Sequence, residues 1–454
     1  MTRRARQATA PLYLLLCIIL GGSAQGIWAN MALQLCGLAI LAWTAMAQSE
    51  GGTGKLARHL ILLTLIAMAW IALQLVPLPP SLWTHLGGRT LVASGYRVLG
   101  MTLPSVPASL MPYRSIETLF ALIPPLALFC AVVRLKGYRT VWLLGALLAA
   151  SVAGIVLGAV QVSAHGSTAF GWYPFSESTF GAATGFFANA NHMGTLLVST
   201  LPFLAAAFAS QRSRDKQHNL AILLMVGAAA FFLFVGILIS RSLAAYGLIP
   251  AVLIGSVALI LPERSRSRRW GLASSGVLLV LAVAALTSSS IQQDGFRDRG
   301  NDSVVSRVEI LRTSVRAIRD FMPVGSGLGT FRQVYHLYED PGSVGDIYVI
   351  HAHNDYLELV LELGLPGVLL IAGFLFWWVR STWAAWTDPA AGPYARAASI
   401  ASAAILAHSA VDFPLRTTAI SAVFAMCLGL LVERPNLDFR NRSDLWPTRH
   451  VVIG

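Results

Sequence analysis

Apolar residues in this chain come in runs of about 20, each long enough to cross the hydrocarbon core of a bilayer as a helix. Windows near 11–28, 31–47, 58–77, 114–134, 139–162, 189–209, 219–239, 243–261, 270–288, 356–379, 395–412 and 417–433 predict twelve such helices. Barrel strands are excluded because they are short and alternate, whereas these runs are long and continuously apolar. Composition agrees. Hydrophobic residues make up 56% of the chain, charged residues only 12%, and mean hydropathy is +0.64. An ordinary globular domain carries about 25% charged residues, so a soluble enzyme and a disordered chain are both ruled out. The fold class expected is an all-α integral membrane protein.

The formal net charge of +12 could indicate nucleic acid, but in a polytopic protein basic residues first follow the positive-inside pattern. With the N-terminus inside, 21 of the 33 Lys and Arg fall on cytoplasmic segments, including Arg3, Arg4, Arg6, Lys55, Arg58, Arg212, Arg214, Lys216, Arg264, Arg266, Arg268 and Arg269. Seven of the remaining 12 sit in one long outer loop, where the rule loses force. Both termini are expected in the cytoplasm, and no nucleic-acid partner is expected. Arg3, Arg4 and Arg6 before an apolar run resemble the start of a signal peptide. A second span follows at once and no small-residue cleavage site stands out, so a retained first helix is expected. Cys17, Cys36, Cys130 and Cys427 lie far apart in apolar runs and read as small buried hydrophobes.

Three sizeable loops face outward, near 78–113, 163–188 and 289–355, while most inner connections are short. Loops elaborated on one face are where a membrane enzyme keeps its chemistry. The chain therefore divides into helices 1–9 over 1–288, a large outer loop over 289–355, and helices 10–12 with a tail over 356–454. Val76-Pro77-Leu78-Pro79-Pro80 ends a helix, and Phe170-Gly171-Trp172-Tyr173-Pro174-Phe175 suits an interfacial belt or stacking on a sugar. The large loop alone has the composition of a small soluble domain. From Ser303 to Phe321, Val304, Val308, Leu311, Val315 and Ile318 recur at helical spacing, with Asp302 or Ser303 as N-cap. At 100° per residue, Arg312, Arg316 and Arg319 share one flank of that stripe and Arg307 stands alone on the other. Gly325-Ser326-Gly327-Leu328-Gly329 then reads as a tight turn that lets backbone approach something closely, and not as a dinucleotide motif.

Polar residues converge at His351-Ala352-His353-Asn354-Asp355-Tyr356-Leu357-Glu358, which runs into a transmembrane helix. Asp355 to Glu358 has capping-box spacing, so the helix is expected to start there, with both histidines at its N-terminus on the membrane surface. Free N–H groups and the helix dipole favour anions there, and histidine can act as a base or donor. The alternative is simple capping and an interfacial belt. Two histidines without an evident third ligand are a weak zinc signal. Arg241 sits in Ile239-Ser240-Arg241-Ser242, a turn between two apolar helices, where an arginine either serves a polar site or snorkels to the interface. His408 and Asp412 are four residues apart on one helix face, and Asn189-Ala190-Asn191-His192 reads as an N-cap on the same side. Gly51-Gly52-Thr53-Gly54-Lys55-Leu56 is not a P-loop, and no Asp-x-Asp pair is present to hold a metal-bound nucleotide, so no cofactor is expected. These features together point to a phosphorylated, sugar-bearing substrate on the outer face, since arginine can stabilise a diphosphate leaving group without a metal.

The stretch Pro323-Val324-Gly325-Ser326-Gly327-Leu328-Gly329-Thr330-Phe331, with Ala352-His353-Asn354-Asp355-Tyr356-Leu357-Glu358 through Glu362-Leu363-Gly364-Leu365-Pro366-Gly367, resembles the bacterial O-antigen ligase and polymerase family. Leu75-Val76-Pro77-Leu78-Pro79, Thr184-Gly185-Phe186-Phe187-Ala188-Asn189-Ala190-Asn191-His192, Ser240-Arg241 and His408-Ser409-Ala410-Val411-Asp412-Phe413 extend the match in family order. The resemblance implies a GT-C-like membrane glycosyltransferase. It would take a glycan from undecaprenyl diphosphate on the periplasmic face of the inner membrane. The acceptor would be lipid A-core for a ligase or another lipid-linked glycan for a polymerase, with other polysaccharide-assembly proteins as further partners. The family's arginines and histidine map onto Arg241, Arg307 and His353. His351, Asn354, Asp412, His408, Arg312 and Asn191 are then expected to bind substrate or support those three, with Glu358 and Glu362 as reserve bases. Where relatives often carry a basic residue before Thr-Gly-Phe, Gly181, Ala182 and Ala183 stand here, which puts more of the phosphate binding on the remaining arginines. Twelve spans also suit a polyprenyl-glycan transporter, but carriers keep ionisable residues near the midplane and show repeats, and here charges gather at the outer ends. A non-catalytic assembly partner would tolerate loss of His353.

Overall fold

The computed structural model describes residues 3–47, 54–135, 140–164, 172–262, 265–287, 307–343 and 348–432. In chain order its helices begin with α1 (Arg3–Leu20), α2 (Ile27–Met46), α3 (Lys55–Gln74) and the short α4 (Pro80–Trp83) and α5 (Thr90–Val98). Next, α6 (Pro112–Ala121) runs through α7 (Ile123–Cys130) into a π-helical end at Ala131–Leu135. Then come α8 (Thr140–Ser163), α9 (Ala190–Gln211), α10 (Lys216–Ser240), α11 (Leu243–Ile260) and α12 (Arg266–Thr287). The last are α13 (Arg307–Phe321), α14 (Phe331–Tyr338), α15 (Asp355–Thr387), α16 (Pro393–Ser409) and α17 (Thr418–Val432). Among the described residues nine spans are long and apolar enough to cross a membrane: α2, α3, α6–α7, α8, α9, α10, α11, α12 and α15. The other three expected windows hold α1, α16 and α17, of 18, 17 and 15 residues.

A bundle in lipid gains little from hiding apolar surface, because the tails are equally apolar; close packing and internal hydrogen bonds hold it together. The most enclosed span is α9, packed between α10, α11 and α16, with Leu196, Leu197, Leu248 and Ile405 in the shared core. Of the cysteines, Cys17 and Cys427 are buried as expected, Cys130 is half-buried and Cys36 is exposed on the outside of the bundle. An apolar run marks residues that tolerate lipid, and lipid-facing and buried positions satisfy that equally.

The expected helix end at Val76-Pro77 holds: α3 stops at Gln74, and Pro77–Leu78 (β1) pairs antiparallel with Val106–Pro107 (β2), Pro77 opposite Pro107. Prolines lack the N–H a longer ladder needs, so pairing stays at two residues. The described residues of the segment between α12 and α15 pack against α15. Ile310, Ala317 and Phe321 of α13 and Phe331, Val334 and Tyr335 of α14 share one apolar core with Ala352 and Leu361. Residues 288–306 lie outside the described residues, and with them the expected N-cap at Asp302 or Ser303. The buried face of α13 corrects the expected stripe. Ile310, Thr313, Ser314, Ala317 and Phe321 face inward, while Leu311 is exposed, so the helix is rotated by roughly a third of a turn from the apolar reading. The inward residues are mostly small, which permits close packing against α15. Arg307 flanks this inward face, and Arg312, Arg316 and Arg319 point the other way.

Helix α15 is broken at Gly364 (φ 65°, ψ −147°), a conformation open essentially to glycine alone. The glycine turn at 325–329 fills the break. Ser326 N donates to Leu361 O (3.0 Å), Gly327 N to Glu362 O (2.9 Å) and Leu365 N to Pro323 O (2.8 Å). From α3, Trp70 Nε1 donates to Leu363 O and Gln74 Nε2 to Glu362 O, each at 3.0 Å. Carbonyls freed by a break in a membrane helix must find donors, and four are supplied here, while the Leu365 N–H beyond the break finds its acceptor in Pro323 O. A Cβ on Gly325 would strike Glu362 O and Gly364 N, which explains why the turn is glycine. Arg89 fastens the same turn by donating to Gly325 O (3.2 Å) and Ala108 O; burial pushes its guanidinium down to about 10, leaving it charged at neutral pH.

Candidate active site

The N-terminal ends of α9, α11 and α15 and the C-terminal end of α16 meet around one carboxylate. Helix α16 ends at Ser409, and the next turn closes by Val411 N and Asp412 N donating to His408 O, both at 2.9 Å, which aims the Asp412 side chain back into the bundle. It is buried and surrounded by donors. Asn191 Nδ2 donates to Oδ2 (2.7 Å), Phe413 N to Oδ1 (3.0 Å), and His353 Nδ1 lies 3.1 Å from Oδ1. An ionised carboxylate only accepts, so His353 Nδ1 carries the proton and Nε2 presents a lone pair. The His353 side chain is 31% exposed, against 1% for Asp412. One face of the imidazole is anchored and the other is open.

Local geometry fixes that histidine. His353 has φ 51°, left-handed backbone that a non-glycine residue adopts only when its surroundings impose it. On one side Ala352 N donates to Glu358 Oε1 (2.7 Å); on the other Asn354 Nδ2 donates to Ala410 O (2.9 Å). The helix start corrects the expected capping box by one residue: Asn354 is the N-cap of α15, accepting from Leu357 N (3.0 Å), and Asp355 is already helical. Asparagine caps as well as aspartate does, and Glu358 is drawn back to the Ala352 N–H instead of serving the cap. His351 Nδ1 also rests on Glu358 (3.1 Å), its ring tilted against Phe413 at a centroid distance of 4.2 Å. Phe413 likewise meets the rings of His353 (5.1 Å) and His192 (5.2 Å).

Arg307 meets the same turn directly, whereas Arg241 stands beside a residue linked to it. Arg307, at the start of α13, donates through Nη1 to Val411 O (3.2 Å), beside Asp412. Arg241 ends α10 in the left-handed conformation (φ 54°) with its side chain exposed. The next residue, Ser242, caps α11, and its hydroxyl donates to Asn191 Oδ1 (2.8 Å), the amide that holds Asp412. Asn189 is the N-cap of α9, as the sequence implies. His408 is buried, with Nδ1 2.6 Å from Thr195 Oγ1 and Nε2 3.9 Å from Asp412. Arg312 is exposed on the far side of α13 and is not brought to this turn.

A second cluster lies directly beneath. Arg416 Nη2 is 3.2 Å from Glu358 Oε2 and 3.1 Å from Glu362 Oε2, and its Nε is 3.6 Å from Asp355 Oδ1. Burial alone would push this guanidinium down, but Glu362, Glu358 and Asp355 together lift it above its ordinary value. Glu358 and Glu362, the reserve bases, are therefore engaged with an internal cation. Sequence reading missed Arg416, Phe413, Ser242 and Thr195. Only Arg416 carried a signal, as a charge next to a span, and nothing local tells that its partners lie more than fifty residues back. Among the described residues no three His, Cys, Asp or Glu converge to hold a metal ion.

No curated protein matches the chain. Residues 227–372, the segment that carries Arg241, Arg307, His351 and His353, match the family model described as O-antigen ligase.

Proposed function

We propose that the protein transfers a glycan from undecaprenyl diphosphate to a lipid A-core or another glycan acceptor at the periplasmic face of the inner membrane, without a metal. His353 Nε2 takes the proton of an acceptor hydroxyl, and the oxygen attacks the anomeric carbon as its bond to the diphosphate breaks. Attack opposite the leaving group inverts the anomeric centre. Arg241 and Arg307 receive the charge that develops on the departing diphosphate, where a fixed cation lowers the barrier most. The observation that carries this reading is the His353–Asp412 hydrogen bond, which anchors a part-exposed imidazole through Nδ1 and leaves Nε2 as the basic nitrogen of the neutral ring. Asp412 stays ionised and stabilises the imidazolium.

The test is gel analysis of purified protein in proteoliposomes with chelator and one undecaprenyl-diphosphate-linked oligosaccharide, with and without lipid A-core. A single acceptor-dependent shift is expected, unchanged by the chelator. A ladder formed without acceptor would assign polymerase activity. No product from authentic substrates would overturn the enzymatic reading and favour a transporter or an assembly partner.

A further inference from the structure

We propose that Arg416 is a positioning residue for this reaction: by clamping Glu358 and Glu362 to the turn that follows Asp412, it holds both halves of the His353–Asp412 pair in register. The inference rests on the reading of His353 given above. Asp355, Glu358 and Glu362 share the inner face of the first two turns of α15, and all three are buried. A single arginine meets all three, through the contacts at 3.2, 3.1 and 3.6 Å. That arrangement uses the planar fork of a guanidinium, since a lysine ammonium is one point on a flexible stem.

The cluster is coupled to the chemistry on two sides. Glu358 presents Oε2 to Arg416 and Oε1 to the Ala352 N–H and His351, so the backbone just before His353 hangs from the carboxylate that Arg416 fixes. On the other side Arg416 ends the short 3-10 turn Pro414–Arg416 that follows Asp412-Phe413, and Leu415 N donates to Asp355 Oδ2 (3.3 Å). His353 and Asp412 come from segments 59 residues apart and share no helix. The carboxylate–arginine clamp is what joins the segments behind them. The left-handed backbone at His353 needs such a constraint, because nothing in its own side chain favours it.

The experiment compares wild type with Arg416→Lys and with the double variant Arg416→Gln/Glu362→Gln, which restores the charge count of the buried cluster without restoring the tether and so guards against simple misfolding. Two readouts are taken in proteoliposomes: steady-state glycan transfer, and the rate at which diethyl pyrocarbonate modifies individual histidines, with the exposed His85 and His218 as internal references. We expect kcat to fall about tenfold or more in both variants with donor KM little changed, because binding groups stay while the base loses its aim. We also expect His351 and His353 to react about threefold faster or more, with His85 and His218 unchanged. Wild-type kcat in the double variant, a loss confined to donor KM, or unchanged modification of His351 and His353 would each overturn the assignment. If wild type itself transfers no glycan, the functional reading falls, and the modification rates alone decide whether Arg416 positions the loop.

Discussion

At the scale of single residues, the site turns on which imidazole nitrogen holds the proton. Asp412 can only accept, so it keeps the proton on Nδ1 of His353 and leaves Nε2 basic. Asp412→Asn has nearly the same shape but offers an amide donor, which favours the opposite tautomer. Its kcat is expected to drop about 100-fold or more while the protein remains folded, a pattern that transfer assays paired with a thermal melt will check. Near-wild-type turnover would show that the pairing is structural. Arg307→Lys keeps the charge but replaces a fork, one arm of which is already spent on Val411 O, by a point charge. A fall of about tenfold or more in transfer is expected, with little change in stability. At this scale the sequence was informative about residue types. Arg241, Arg307, His353 and Asp412 were all singled out by local context. Their partners Ser242 and Arg416 follow from no local pattern, and Asn191, though singled out beside the α9 cap, gives no local sign that it meets Asp412, because each finds its partner across helices.

At the scale of elements, α15 shows how far periodicity reaches. Its existence and N-terminal region were legible from a long apolar run behind a polar cluster, but the cap fell one residue earlier because Glu358 serves the Ala352 N–H. The break at Gly364 was not foreseen, the residues there having counted only toward a family resemblance, because its cause is tertiary: the 323–329 turn and two side chains of α3 donate to the carbonyls it frees. Gly364→Ala forces a Cβ into a glycine-only conformation and against Pro323 O. It is expected to cost about 1–3 kcal/mol from backbone strain alone, visible as a lower thermal midpoint in detergent. An unchanged midpoint would mean the break is soft. In α13 the hydrophobic stripe misled because Leu311 can face outward at the membrane surface while Ser314 and Ala317 pack inward.

At the scale of the whole molecule, Arg241, Arg307, His353 and Asp412 gather at one end of the bundle, the end the charge distribution assigns to the outside. Single cysteines at Arg312 and Arg214, both exposed, placed in a cysteine-free background should label differently with an impermeant maleimide in spheroplasts. Arg312→Cys is expected to react in intact spheroplasts and Arg214→Cys only after lysis; the reverse pattern would invert the topology and move the site to the cytoplasm. What the sequence alone determined is the helical membrane character, the apolar segments that carry it and the residue types at their ends. Length, hydropathy and basic-residue bias are properties of each segment, and partitioning into a bilayer responds to segments one at a time. Only the tertiary structure decided which ends meet. Asn191, Ser242, His353, Asp412 and Arg416 are brought together by the rotation of α9, α11, α15 and α16 about their own axes. That rotation is set by close packing among small side chains and by the hydrogen bonds that buried polar groups must find, and neither leaves a periodic trace along the chain.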